Sequence, residues 1–179
     1  MSFRKVSVSS ALFVFAAVLA LALDGSSAGV RWAVPAGWSA QAPRQMRVAT
    51  YSVPAKAGGE AGECGVFYFG QRQGGSATEN IQRWGTQFEG APPPVSSIQS
   101  VDGMRVHRVY TSGTYLSPGG PMMQSQGKKP GYRLMGAIVE GPQGLVFFKC
   151  TGPAPVILGA QPAFDGLVRS LKKTPVTRV

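Results

Sequence analysis

The sequence has 179 residues, with 18 lysines and arginines against 8 acidic residues, one histidine and two cysteines, and a formal net charge of +10 at pH 7. The sequence has too few histidines and acidic residues to favour a metal site or a pair of catalytic carboxylates. We predict no metal, no cofactor and no catalytic residue. The basic charges are spread along the chain and lack interleaved aromatic residues, so we also predict no specific nucleic-acid partner.

The first 28 residues are predicted to be a signal peptide. A basic pair at positions 4–5 precedes an unbroken apolar run over residues 11–23, and small residues at positions 26–28 suit cleavage before Gly29. The apolar run is too short for an ordinary transmembrane helix, and no later stretch is long enough. The sequence therefore predicts export to the periplasm or the extracellular space, with no transmembrane span after cleavage. An uncleaved N-terminal anchor is the alternative.

Residues 29–173 are predicted to form one domain, followed by a basic, frayed tail at residues 174–179. The first strands are predicted over residues 30–34 and 45–53, and in the second of them successive residues are assigned to opposite sides. Asp-Gly and Gly-Pro-Gln-Gly turns later in the chain indicate two hairpins. The strands of these hairpins are predicted at residues 96–101, 104–111, 132–140 and 145–151.

The clearest local signal is a strand, a glycine-rich turn and a helix in succession. Residues 64–69 are aromatic and apolar, which predicts a central strand. Residues 70–75 break it, because paired glycines permit backbone angles that other residues resist. Ser76 and Glu79 have the spacing of a capping box and predict the start of a helix. The apolar face of this helix is predicted to contain Ile81, Trp84 and Phe88.

The glycine-rich turn is a candidate anion site. A turn that leads into a helix N-terminus directs unpaired N–H groups and the positive end of the helix dipole at one spot, which suits a phosphate, sulfate or carboxylate. The turn is neither a P-loop nor a dinucleotide-binding fingerprint, and the alternative is a purely structural strand-to-helix connection. The candidate ligand-binding residues here are Arg72, Gly74, Gly75 and Ser76.

Residues 112–131 are rich in glycine, proline and serine, and are predicted to form a long irregular loop. Loops of this length inside a domain are often functional. Tyr115, Lys128 and Lys129 are therefore further candidate ligand-binding residues.

An apolar stripe near the C-terminus, formed by Phe164, Leu167, Val168 and Leu171, predicts a second helix. This helix begins near Pro155, and Pro162 is tolerated as an early residue of the helix or as a kink.

Consecutive hairpins with two amphipathic helices predict an α+β domain. We expect a single, mainly antiparallel sheet of about six to seven strands, with both helices packed on one face.

The two cysteines, Cys64 and Cys150, both lie in predicted strands. In an oxidising compartment such a pair forms a disulfide when the Cα atoms come within about 7 Å. The alternative is two buried free thiols that pack as small apolar groups. Their spacing does not indicate redox catalysis.

Two terminal motifs resemble those of a known superfamily. Residues 32–38 read W-x-x-P-x-G-W, which is similar to the opening of the PsbP-like and DcrB-like α/β sandwiches. Residues 164–171 read F-x-x-x-x-x-S-L, which is similar to their closing helix. The resemblance implies a sandwich fold and export, and it implies no activity. Residues 46–51, 67–70, 74–76, 80–84, 113–115 and 131–140 resemble a group of exported bacterial proteins of unassigned function.

These observations favour an exported, non-catalytic binding or accessory protein of the periplasm or envelope. Its partner would be an envelope protein or an anionic surface. A hydrolase with an unrecognised site is one alternative, although we interpret His107, the sole histidine, as structural. A structural partner of an envelope complex is the other, and an exposed apolar patch at Met122 and Met123 would favour it.

Overall fold

The computed structural model describes residues 24–56, 58–117 and 127–175. The helices in these ranges are α1 (Ala77–Gly85), α2 (Ala154–Gly159) and α3 (Gln161–Arg169). The strands are β1 (Asp24–Ser27), β2 (Val30–Ala33), β3 (Ser39–Ala40), β4 (Ala49–Val53), β5 (Gly62–Tyr68), β6 (Phe88–Glu89), β7 (Val95–Val101), β8 (Met104–Tyr115), β9 (Lys129–Gly141), β10 (Gly144–Pro153) and β11 (Lys172–Lys173). No helix in these ranges is both long enough and apolar enough to cross a membrane.

The strands form two antiparallel sheets. The larger has eight strands in the order β3-β4-β5-β10-β9-β8-β6, with β7 also paired to β8. The smaller has the order β1-β2-β11. The antiparallel α+β prediction is therefore confirmed, but the single sheet of six to seven strands is wrong. The first predicted strand, β2, pairs with β1 and β11 instead of joining the main sheet. Its buried Val30 and Trp32 pack in the core on one face of the main sheet.

The helices lie on opposite faces of the main sheet, contrary to the expectation that both cover one face. Neighbouring residues of a strand point to opposite faces, so Phe147 and Phe148 of β10 separate two cores. Trp84 of α1 contacts Phe147, with ring centroids 6.4 Å apart. Trp32 contacts Phe148 at 5.1 Å, and Phe164 of α3 packs in that same cluster. The central strands are apolar on both faces, so each face needs its own cover.

Cys64 and Cys150 are joined by a disulfide between neighbouring strands. The two residues face each other in the β5–β10 register, with Cα atoms 3.9 Å apart, and both are fully buried. The free-thiol alternative is thus not realised. In the chain-entropy model a link across a sequence separation of 86 residues contributes on the order of 4 kcal/mol.

The predicted loop at residues 112–131 is shorter in the structure, because β8 continues to Tyr115 and β9 begins at Lys129. The predicted apolar pair, Met122 and Met123, lies outside the described residues. The predicted C-terminal helix is divided into α2 and α3, which meet at Ala160 just before Pro162, and Phe164, Leu167 and Val168 of the stripe lie in α3. The Asp102-Gly103 hairpin is present, with positive φ at both residues.

Trp84 packs directly on the backbone of β9. A Cβ atom added to Gly136 would lie 2.5 Å from the Trp84 ring, well inside contact distance. Both residues are buried, so neither can move into solvent. Gly136 therefore sets how closely α1 approaches the sheet.

We expect Gly136→Ala to lower the free energy of unfolding by about 1–3 kcal/mol, because it forces the indole off the sheet. Urea denaturation followed by tryptophan fluorescence measures this. The matched control is Gly159→Ala in α2, where an added Cβ meets nothing within 4 Å. That change should be neutral or stabilise by roughly 0.4–1 kcal/mol. Equal effects of the two substitutions would contradict this account of α1 packing.

Candidate functional site

A small cavity opens between α1 and the main sheet. Its volume is about 220 Å³, and we call it the Lys149 pocket. Lys149 and Phe147 are two residues apart on β10, so both point to the α1 face. Besides these two, the lining consists of Phe67, Phe69, Asn80, Arg83, Trp84 and Gln87.

One wall of the pocket is aromatic. Phe69 lies between Phe67 and Phe147, with centroid distances of 6.2 and 5.5 Å. Phe69 is 37% exposed and also lines a shallower neighbouring depression with Met46, which is 66% exposed. The mouth of the pocket therefore presents apolar surface to solvent, where a ligand could cover it.

The Lys149 ammonium has neutral groups as its hydrogen-bond partners. It donates a hydrogen bond to Oε1 of Gln87, and its Nζ lies 3.4 Å from the hydroxyl of Tyr115 and 5.4 Å from the centre of that ring. Among the described residues, no carboxylate forms an ion pair with Lys149 or with Arg83. The segment at residues 118–126 contains no acidic residue either.

The surroundings lower the pKa of Lys149 to about 8. Desolvation by the enclosing protein is the largest cause, and the positive charges of Arg47 and Arg83 add to it, while Glu63 acts in the opposite direction. At pH 7 most molecules still carry the charge. A cation in this state gains from any anion that reaches it, because none of the residues that the structure describes offers it a carboxylate partner.

Two arginines make the site more positive. Arg83 of α1 donates to Oδ1 of Asn80 and lines both the pocket and the adjoining depression. Arg47 lies over the Phe67 ring at 5.3 Å and bonds Glu63 at 2.6 Å. Glu63 also bonds Arg44 at 2.6 Å, so one carboxylate serves two guanidinium groups. The arrangement can bind an anion that carries an apolar body.

The sequence-predicted turn borders this pocket. The capping box is confirmed: the hydroxyl of Ser76 accepts from the Glu79 N–H at 3.2 Å, and Glu79 accepts from the Ser76 N–H at 2.7 Å. That second bond lowers the pKa of Glu79 and places its own carboxylate at the helix N-terminus. Gly74 lines the depression beside Arg83, while Arg72 lies on the exposed turn. Anion binding by Arg72, Gly74, Gly75 and Ser76 stays a prediction.

The other predicted ligand residues are spread more widely. Tyr115 reaches the pocket through its contact with Lys149. Lys128 forms an ion pair with Glu89 at 2.7 Å. Lys129 forms one with Glu60 at 3.1 Å, so both lysines already have carboxylate partners.

Sequence reasoning missed Lys149 and Arg83. The signal for Lys149 was a charged residue inside an otherwise apolar strand, directly before the buried Cys150. Strand alternation would have placed it beside Phe147. Arg83 lies outside the apolar face predicted for this helix, and only the tertiary structure brings it to the cavity.

A second cavity, of about 420 Å³, lies between residues 54–56, 59 and 60 and helices α2 and α3. Its lining is mainly apolar, with Lys56 and Glu60 exposed at its edge. It is larger than the Lys149 pocket, but its described lining contains no buried charged side chain to orient a ligand. No group of three or more His, Cys, Asp or Glu residues that could hold a metal occurs in the part of the chain that the structure describes.

No family model and no curated protein matches the sequence. The fold is similar to the crystal structure of PA94 from Pseudomonas aeruginosa, a protein of unknown function with a suggested regulatory role. The TM-score is 0.52 at 12% identity, and the match covers 87% of this chain and 99% of PA94. The similarity shows a shared fold and assigns no site residue.

The lowered pKa can be measured directly. In protein labelled with ¹³C-lysine, we expect the Lys149 Cε resonance to titrate near pH 8, well below the value of about 10.4 for lysine in a model peptide. Arg83→Gln should raise the midpoint, because it removes a neighbouring positive charge. A Lys149 midpoint at the model-peptide value of about 10.4 would contradict the enclosed, cation-rich environment.

The same shift predicts a pH dependence of stability. The pKa is lower in the folded state than the ordinary 10.5, so between pH 8 and 10.5 the unfolded chain binds more protons. The contribution of Lys149 to the free energy of unfolding should therefore rise as pH rises through this window. Urea denaturation of the wild type and of Lys149→Met across this range isolates the contribution. Parallel pH profiles for the two proteins would contradict it.

Proposed function

We propose that this chain is an exported, non-catalytic binding protein, and that the Lys149 pocket holds a small anionic ligand with an apolar or aromatic body. The observation that carries the proposal is the Lys149 ammonium. It is partly buried, it has a lowered pKa, and no carboxylate among the described residues pairs with it. Such a charge is costly to hold in a protein, and an incoming anion offsets the cost.

The walls of the pocket favour a flat apolar body attached to that anion. Four aromatic rings line the cavity, and offset or edge-on packing against such rings is favourable for a planar ligand. The volume of about 220 Å³ lies below the roughly 300–1,000 Å³ of sites for drug-sized ligands, so the pocket suits a smaller molecule. An aromatic carboxylate combines the required features: a negative group for Lys149 and Arg83, and a ring for Phe69 and Phe147.

Export is supported by the disulfide, which is compatible with an oxidising compartment. Cleavage before Gly29 would remove β1 and leave β2 and β11 as the small sheet. We further propose membership of the PsbP-like and DcrB-like superfamily. The backbone N–H of Ala33, in the opening motif, donates to the hydroxyl of Ser170 in the closing motif at 2.9 Å. The two motifs thus stabilise each other, which gives a physical reason for their occurrence together.

Binding is favoured over hydrolysis by the position of the sole histidine. His107 is buried, forms a 2.7 Å contact with Glu140, and does not line the Lys149 pocket. The pocket itself holds no carboxylate to act as a general base. An envelope protein or an anionic surface remains the alternative partner, with the turn at residues 70–76 as its contact.

Binding can be followed through the fluorescence of Trp84 with a small set of aromatic carboxylates, each paired with its neutral amide. We expect the carboxylate to bind at least tenfold more tightly than its amide, because a charge-assisted hydrogen bond contributes about 1.5–3 kcal/mol. Lys149→Met should remove this preference. Affinity in the wild type should fall as pH rises through 8, since the neutral amine no longer attracts an anion.

Lys172→Met is the matched control, because Lys172 is exposed on β11, in the small sheet over the opposite face. It removes the same charge and should leave affinity unchanged. Lys149→Arg keeps a positive charge at every pH tested and should abolish the decline above pH 8 if the side chain fits. Equal affinity for acid and amide, or equal loss in the two Met variants, would exclude the proposal.

A further inference from the structure

Strand β7 is an open edge of the main sheet. It pairs on one side with β8, and no strand among the described residues pairs with its other side. Six of its seven residues are exposed, including Val95 at 70% and Ile98 at 57%. The outer backbone N–H and C=O groups therefore have no partner strand, and such an edge is a template for pairing with another chain.

This edge lacks the features that usually prevent such pairing. Soluble proteins protect edges with charges, prolines, bulges or very short strands. The sequence of β7, Val-Ser-Ser-Ile-Gln-Ser-Val, contains no charged residue and no proline, and all its residues have ordinary φ values. The prolines at positions 92–94 precede the strand. At the far edge of the sheet, β3 has only two residues, so that end is protected by its shortness.

The sequence of β7 also reads nearly the same in both directions. Its ends are both valine, its second and sixth residues are both serine, and Ile98 is at the centre. When two identical strands pair antiparallel about a twofold axis, residues at equal distances from the central residue face each other. Val95 would face Val101 of the second copy, Ser96 would face Ser100, and Ile98 would face its own equivalent.

We propose that β7 pairs with β7 of a second copy of this chain, antiparallel and centred on Ile98, so that the two main sheets become continuous. Ile98 lies opposite His107 in the β7–β8 register, so its side chain is on the α1 face. Val95 and Val101 are on the other face. There Val101 of the second copy covers Val95, and Val95 of the second copy covers Val101. Each copy gains backbone hydrogen bonds and covers its exposed apolar side chains.

A single strand pair is a small interface, and both copies carry a strong positive charge. We therefore expect a dimer with a dissociation constant of roughly 1–100 μM, strengthened by added salt. Sedimentation velocity of the purified protein over a range of concentrations measures it. A chain that stays monomeric up to millimolar concentration overturns the proposal, whatever else then covers the edge.

Two substitutions test the surface and the register. Ile98→Lys brings like charges together at the twofold axis and should give a monomer with an unchanged melting temperature, since Ile98 is largely exposed. The control is Leu158→Lys on α2, which is 48% exposed and should remain dimeric. Loss of the dimer in both variants, or in neither, overturns the assignment.

Cysteine cross-linking tests the register independently of stability. The native cysteines are already bonded to each other, so an added cysteine reports on its own position. Ile98→Cys should form a covalent dimer on mild oxidation, because directly opposed residues have Cβ atoms about 4.5–5.5 Å apart. Val95→Cys should cross-link with Val101→Cys in a mixture of the two proteins but not with itself. If Val95→Cys alone cross-links as efficiently as the mixture with Val101→Cys, the register centred on Ile98 is excluded.

Discussion

The packing of apolar side chains on both faces of β9 and β10 is the constraint on which the structure depends. Phe147 and Phe148 enter separate cores, so the main sheet cannot leave either face to solvent. The small sheet with α2 and α3 covers one face. On the other face α1 is short and covers only part of the surface, held close by Gly136 beneath Trp84.

The partial cover on the α1 face explains the chemistry of the pocket. Lys149 continues the row that contains Phe147, at the margin of the surface that α1 protects. Water is largely excluded there, yet the cavity still opens to the outside beside the exposed Phe69. The same short helix brings Arg83 to the opening. Both faces of the main sheet need cover, and on the second face only the short helix α1 provides it. The margin that α1 leaves open is therefore a cationic and aromatic cleft.

Local features were predictable from the sequence, and long-range ones were not. The Ser76–Glu79 capping box and the Asp102-Gly103 hairpin depend on neighbouring residues, so their patterns were sufficient. Which face of the sheet each helix covers depends on strands that are distant in sequence, and apolar runs such as residues 145–150 do not encode it. Lys149 was missed for a related reason: its partners, Gln87 and Tyr115, come from different parts of the chain.

The disulfide has a consequence for the pocket on the opposite side of the sheet. Cys150 follows Lys149 directly, and its bond to Cys64 fixes β10 against β5 at that point. The lysine from β10 and the aromatic residue Phe67 from β5 are thereby kept in register across the strand pair. In a reducing environment this alignment would depend on sheet hydrogen bonds and packing alone. Oxidation of the cysteines therefore holds the walls of the Lys149 pocket as well as the core, so the redox state of the compartment in which the chain folds also determines how firmly the pocket keeps its shape.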